Sequence, residues 1–401
     1  MRTSLFLLFL GLFAREGVAQ DLAIRAEQLH PVSSPPIRDG VVIVRAGKIA
    51  AVGPSAQTAI PEGFRVIQAK VVTPGLIDAH SVVGLAGYLN QPHDQDQLDK
   101  SAPIQPELRA IDAYNPREKL VQWLREFGIT TIHTGHGPGA LVSGQTMVAK
   151  TRGQTAEEAV VVPYAMLACT LSGAGRSGKS PGTAAKQVAM LREALLSAKE
   201  YATKLEETDM AKRPARDLRK EAWVEVLKRR VPLMITAHRH QELISCLRLA
   251  KEFDVRVVLD GASEVYQVLD EVRTTGVFVI AHPPMARFAG DMENASRSTP
   301  LKLLEAGIPF AFQSGFEDYV PKTRVVLFEA AIAASHGLGQ ERALRAITLD
   351  AARLLGLEAR LGSLEVGKDG DLALYDGDLF EYTSHCIGTV IEGQSVFEGQ
   401  K

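Results

Sequence analysis

The 401-residue sequence predicts an α/β protein: a (β/α)8 barrel of TIM type with a small β-sandwich lobe formed from both chain ends. Three observations predict it. Apolar, β-branched runs recur through the middle of the chain, each followed by a stretch with apolar residues at three-to-four spacing. Both ends instead carry short alternating strands broken by glycine. Histidines also close several of the middle runs, at the strand ends where a parallel barrel gathers its chemistry.

In chain order, residues 1–19 read as a secretory signal. Arg2 precedes an apolar run from Leu5 to Phe13, and Gly17 and Ala19 supply the small residues of a cleavage site before Gln20. That run is too short to span a bilayer, so the chain is expected to be exported, periplasmic or extracellular, with no stable membrane span. Residues 20–72 form the first part of the lobe, where GVVIVRAGKIAAVGP alternates and breaks at Gly47 and Gly53. Residues 362–401 form its second part, with GSLEVGKDGDLALYDG and IGTVIEGQSVFEG in the same style.

Residues 73–361 hold the barrel. Its strand runs are VVTPGLIDAH, ITTIHTG, QTMVAKT, VVVPYAML, PLMITAH, VRVVLDG, GVFVIAH and IPFAFQSG. Helical patterns follow as KLVQWLREFG, QELISCLRLAKEF, EVYQVLDEVRTTG, PLKLLEAG and VVLFEAAIAAS. A long excursion, residues 171–230, separates the fourth and fifth strands.

Composition narrows the function. The chain is 46% apolar and 23% charged with a formal net charge of -2, which gives no electrostatic footprint for nucleic acid. Three cysteines, Cys169, Cys246 and Cys386, are too few for a disulfide framework and read as buried free thiols. Of ten histidines, His80, His133, His238 and His282 stand at the ends of strands one, two, five and seven. Each is a metal ligand or a hydrogen-bonded polar residue of the loop mouth.

PPIRDGVVIVRAGKIAAVGP followed by VVTPGLIDAH, with SGQTMVAKTRG, ITAHRHQELISCLRLAKEF, ERALRAITLDAARLLGL and GSLEVGKDGDLALYDGD, resembles the amidohydrolase superfamily, particularly imidazolonepropionase-like members. The resemblance covers essentially everything after the signal-like segment. It implies a hydrolase acting on an amide or cyclic C–N bond, with one or two divalent ions activating water. It also implies a His-x-His pair after strand one and a carboxylated lysine or acid after strand four. Histidines after strands five and six and an aspartate after strand eight complete that set.

Carried over by position, His80 and His238 are retained as metal ligands. The second strand-one histidine falls on Val82, the strand-four group near Met166, the strand-six histidine on Gly261 and the strand-eight aspartate on Gly315. Val82 has no lone pair to donate, Gly261 and Gly315 have no side chain, and no lysine or acid stands at the strand-four position. Asp260 is expected to point to the opposite face from Gly261, while Glu317 and Asp318 could bend back toward the site. His133 and His282 are candidate substitutes that, with His80 and His238, would make a mononuclear site for a single zinc or other divalent ion.

The expectation is therefore a degenerate homologue, non-catalytic or weakly active, that keeps the fold and pocket as a binding or partner subunit. No cofactor is expected in the inherited binuclear site. Its partners would be a small-molecule ligand, a second copy of the chain, or an active homologue. The alternative is an active C–N hydrolase with a rebuilt single-metal centre.

A different class is raised by Gly173 to Ser180, GAGRSGKS, which satisfies the phosphate-loop pattern. Pro181-Gly182 follows directly, where such a loop should enter its helix, so nucleotide binding is disfavoured. Arg109 and Asp112 are candidate substrate-binding residues or a structural ion pair, and Lys150 a mouth residue or a surface lysine.

Overall fold

The computed structural model describes residues 21–176, 180–316 and 325–399. The signal-like segment, Lys179, Glu317 and Asp318 lie outside them. In the first part of the chain run β1 (Leu22–Leu29), β2 (Ile37–Arg45), β3 (Lys48–Pro54) and β4 (Arg65–Pro74). The middle holds β5 (Leu76–Ser81), β6 (Ile129–Thr134), β7 (Val142–Gln145), β8 (Met147–Lys150), β9 (Val160–Val162) and β10 (Leu167–Thr170). It continues with β11 (Leu233–Ala237), β12 (Val257–Gly261), β13 (Phe278–Ala281) and β14 (Phe310–Phe312). Last come β15 (Leu372–Tyr375), β16 (Cys386–Ile391) and β17 (Gln394–Glu398).

Strands from both ends meet in one seven-stranded sheet, ordered β17-β16-β15-β4-β1-β2-β3. Its strands are hydrogen-bonded as one continuous mixed sheet. Leu372 lies opposite Pro74 and Tyr375 opposite Val71, so β15 is hydrogen-bonded to β4, while Lys48 bridges to Asp369 and brings the far edge of the sheet back against the C-terminal strands. Leu22, Ile24, Val42, Val72, Leu372 and Val390 form the core on one face, and a smaller cluster of Ala23, Val41 and Ile43 lies on the other. The chain changes sheets at Gly75, where an added Cβ would sit 2.2 Å from the Thr130 hydroxyl oxygen. Only glycine fits that approach.

The middle departs from eight uniformly parallel strands. β10 to β14 are parallel neighbours, as are β5 and β6. The QTMVAKT stretch, however, is split at Thr146 and reversed: β7 pairs antiparallel with β10, and β8 pairs antiparallel with β6. The result is a six-stranded and a four-stranded sheet joined through this divided strand. Where β14 approaches β5, the Ser314 amide donates to Asp78 Oδ1 at 3.1 Å, and no backbone ladder joins the two strands among the described residues.

Reversal of β8 corrects the placing of Lys150. The side chain lies at the end of the strands opposite the candidate site and is 2% exposed, neither at the mouth nor on the surface. It pairs with Asp371 and stands 3.5 Å from Asp369, which also receives Lys48 at 2.5 Å and Arg360 at 2.9 Å. These ion pairs tie the middle strands to the terminal sheet. Helices such as Ala184–Leu205 and His240–Phe253 pack outside, and none among the described residues is long and apolar enough to cross a membrane. Cys169, Cys246 and Cys386 are buried and free.

Candidate functional site

The C-terminal ends of β5, β11, β12 and β14 present a connected polar cluster. Register fixes its centre. Asp260 pairs across with Thr236, and Val258 with Met234, and both Val258 and Met234 belong to the barrel-interior cluster. Side chains two apart share a face, so Asp260 points inward, contrary to the outward orientation expected of it. Its carboxylate accepts from His80 Nδ1 at 3.0 Å, Thr236 Oγ1 at 2.6 Å and Gln313 Nε2 at 2.9 Å.

Charge follows from this geometry. Burial opposes the imidazolium of His80, but the Asp260 charge and hydrogen bond, assisted by Asp78, hold its pKa above the ordinary value. Burial likewise disfavours the Asp260 carboxylate, yet His80, Thr236 and His238 hold its pKa below the usual range. Asp78 is pushed up to about 6 by burial, against hydrogen bonds from Ser314 and the His80 amide. Among the described residues, two polar atoms in this buried cluster lack a hydrogen-bond partner, His80 Nε2 and Asp78 Oδ2.

His238 lies just beyond β11, its Nδ1 2.9 Å from Ser263 Oγ, and burial lowers its pKa. Its ring lies against Gly261, whose φ is +77° and where a Cβ would stand 2.6 Å from His238 Cε1. A histidine at 261 could not coexist with this imidazole position. Gly315 is comparable, with φ +73° and Pro283 Cγ 2.6 Å from its would-be Cβ. Val82 is buried and apolar.

Met166 proves to stand at the start of β10, at the far end of the strand from the site. The mouth end of that strand is Cys169-Thr170-Leu171, which carries neither lysine nor acid. The structure brings His80 and His238 to one cavity of ≈ 80 Å³, with Thr236, Asp260 and Gln313 in its wall. Such a volume holds roughly two or three waters at ~30 Å³ each.

His133 and His282 are not in that wall. His133 is fully buried with both nitrogens engaged, Nδ1 donating to the Ala79 carbonyl at 2.7 Å and Nε2 bonded to Thr146 Oγ1 at 2.7 Å. His282 lies against two carbonyls, Pro283 at 3.4 Å and Ser296 at 3.2 Å. Burial lowers both to about 4, so both rings are neutral near pH 7. Arg109 and Asp112 form an exposed pair at 3.8 Å away from this cavity. In the phosphate-loop-like stretch, the Gly173 amide donates to Asp291 Oδ2 at 2.6 Å. A carboxylate thus occupies a donor that a phosphate would need.

A metal ion at this site would need three or four N, O or S ligands. No three His, Cys, Asp or Glu side chains converge to hold an ion among the described residues. His80 Nδ1 is committed to Asp260 and His238 Nδ1 to Ser263, and the carboxylate nearest them is spanned by three donors. The residues present do not fit the inherited metal centre.

Parallel strands with flanking helices, a terminal sheet built from both chain ends and a histidine-bearing polar mouth define a TIM-barrel-like α/β scaffold. The chain belongs to the amidohydrolase family, whose sequence profile matches residues 85–397. It is similar to the amidohydrolase tasK of Hapsidospora irregularis, 23% identical over 399 residues, spanning 90% of this chain and 40% of that protein. It is also similar to an imidazolonepropionase of Symbiobacterium thermophilum, 27% identical over 144 residues, 36% of this chain and 32% of that one. The chain therefore spans well under half the length of either relative. An amidohydrolase from Thermotoga maritima MSB8 superposes with a TM-score of 0.88 at 25% identity, covering 94% of this chain and all of that one. The likeness to an imidazolonepropionase agrees with the resemblance read from the sequence motifs.

Proposed function

We propose that this chain is an exported, degenerate amidohydrolase that has lost metal-dependent hydrolysis and keeps its barrel mouth for binding a small polar ligand or for association with a partner subunit. The observation that carries the reading is the His80–Asp260 pair. It sets a cross-barrel ion pair, braced by Thr236 and Gln313, among the inherited ligand positions. Gly261 supports it, because its missing side chain is what lets the His238 ring lie where it does.

The cavity wall retains donors and acceptors, so recognition of a small polar group does not need an ion. Turnover of amide and cyclic-amide substrates, measured with and without added zinc or manganese, tests the proposal. No metal-stimulated hydrolysis is expected. Stimulated turnover that disappears in the His80→Ala/His238→Ala double variant would refute it.

A further inference from the structure

The opposite end of the barrel carries a cavity of ≈ 780 Å³, far larger than that at the mouth. It lies at the N-terminal ends of the strands: Met166 precedes β10, Pro232 precedes β11, Arg256 precedes β12, and Phe278 begins β13. Its floor is the lowest layer of the barrel interior, Met166 and Val258 with the partly exposed Ala165, Phe278, Leu354 and Leu355. Apolar surface of Ala165, Phe278, Leu354 and Leu355, packed against the buried Met166 and Val258, is thus partly open to solvent at the end remote from His80 and His238.

The rim is strongly biased in charge. Arg229, Arg230, Lys251, Arg256 and Arg353 line it against a single acid, Asp254. Three of those cations are neutralised by carboxylates, Arg229 by Asp254, Arg230 by Glu225 and Arg353 by Asp350. Among the described residues, Arg256 donates to the carbonyl of Arg230 at 3.1 Å and forms no ion pair, and Lys251 has no ion-pair partner. Lys251 stands in the last turn of the helix His240–Phe253, where the helix dipole alone favours a cation. Arg256 is on no helix, so the dipole does not account for it.

We infer that this face is a second ligand site, which takes an organic anion with an apolar body: a carboxylate carried on an aryl or acyl group. The apolar floor removes the body from water, and Arg256 with Lys251 receives the carboxylate by charge-assisted hydrogen bonds. The volume lies within the range of about 300–1,000 Å³ usual for small-molecule sites.

Calorimetric titration with 1-naphthoate and its neutral counterpart 1-naphthalenemethanol tests the site. Naphthoate should bind one per chain, at least about tenfold more tightly than the alcohol and at least about tenfold more weakly to the Lys251→Gln/Arg256→Gln variant. Both substituted residues are on the rim, so the fold should be retained. Should that variant fail to fold, salt dependence in the parent protein decides the matter. Affinity should fall severalfold between about 50 and about 500 mM salt if unpaired cations hold the anion. No binding at about 1 mM naphthoate, equal affinity for the alcohol, or an affinity indifferent to both the variant and salt would overturn the inference.

Discussion

At the scale of residues, Asp260 decides how the mouth is built. It was legible as an acid inside an apolar strand run, VVLDG, but its face was not, because counting alternation from Gly261 assumes that Gly261 is still in regular strand geometry. The left-handed φ of +77° at Gly261 breaks that assumption. Thr236 and Gln313 carry the same signal, polar residues in ITAH and FAFQSG, but neither is a usual metal ligand, so the ligand pattern does not single them out. Asp260→Asn should leave His80 buried without its counter-charge and lower stability by about 3–5 kcal/mol, read from the urea midpoint. Gly261→Ala should cost at least about 1–2 kcal/mol from the backbone alone and should displace the His238 ring, visible in its imidazole NMR signals.

At the scale of elements, strand runs and helical patterns were readable because apolar periodicity reports burial directly. Strand direction was not, since β8 reads MVAK whichever way it runs. That is why Lys150 belongs to a buried ion cluster at the end remote from the site. Asp371, at the other side of the pair, has its pKa raised by burial despite Lys150. Lys150→Ala should therefore destabilise by about 3–5 kcal/mol, whereas Lys150→Met/Asp371→Leu should recover most of that loss. A double variant as unstable as the single one would show that the wider cluster with Asp369, Lys48 and Arg360, rather than this pair, carries the join. Alternation likewise identifies the lobe strands but does not say how the sets from the two chain ends are hydrogen-bonded to each other.

Over the whole molecule, buried neutral histidines link stability to pH. His133, His136 and His282 are each held to about 4, chiefly by burial. Unfolded histidines take up protons near 6.5, so between roughly pH 6.5 and 4 the unfolded chain binds more protons and acid favours unfolding. Each contributes on the order of 2–3 kcal/mol of stability near neutrality that is lost across that window. The thermal midpoint should fall steeply from pH 6.5 to 4, and a flat midpoint would mean that these rings are hydrated in solution.

Family membership was legible across the chain because its motifs are dispersed through both the terminal strands and the barrel. The substituted ligand positions were legible too, as Val82, Gly261 and Gly315. What stands beside them, the His80–Asp260 ion pair, depends on which side chains meet across the strands. The most direct test of whether this site holds a metal is elemental analysis of the protein purified from cells supplied with zinc, iron and manganese. The account predicts metal well below one ion per chain, and no change in the His80→Ala/His238→Ala variant. One ion per chain, lost in that variant, would contradict it.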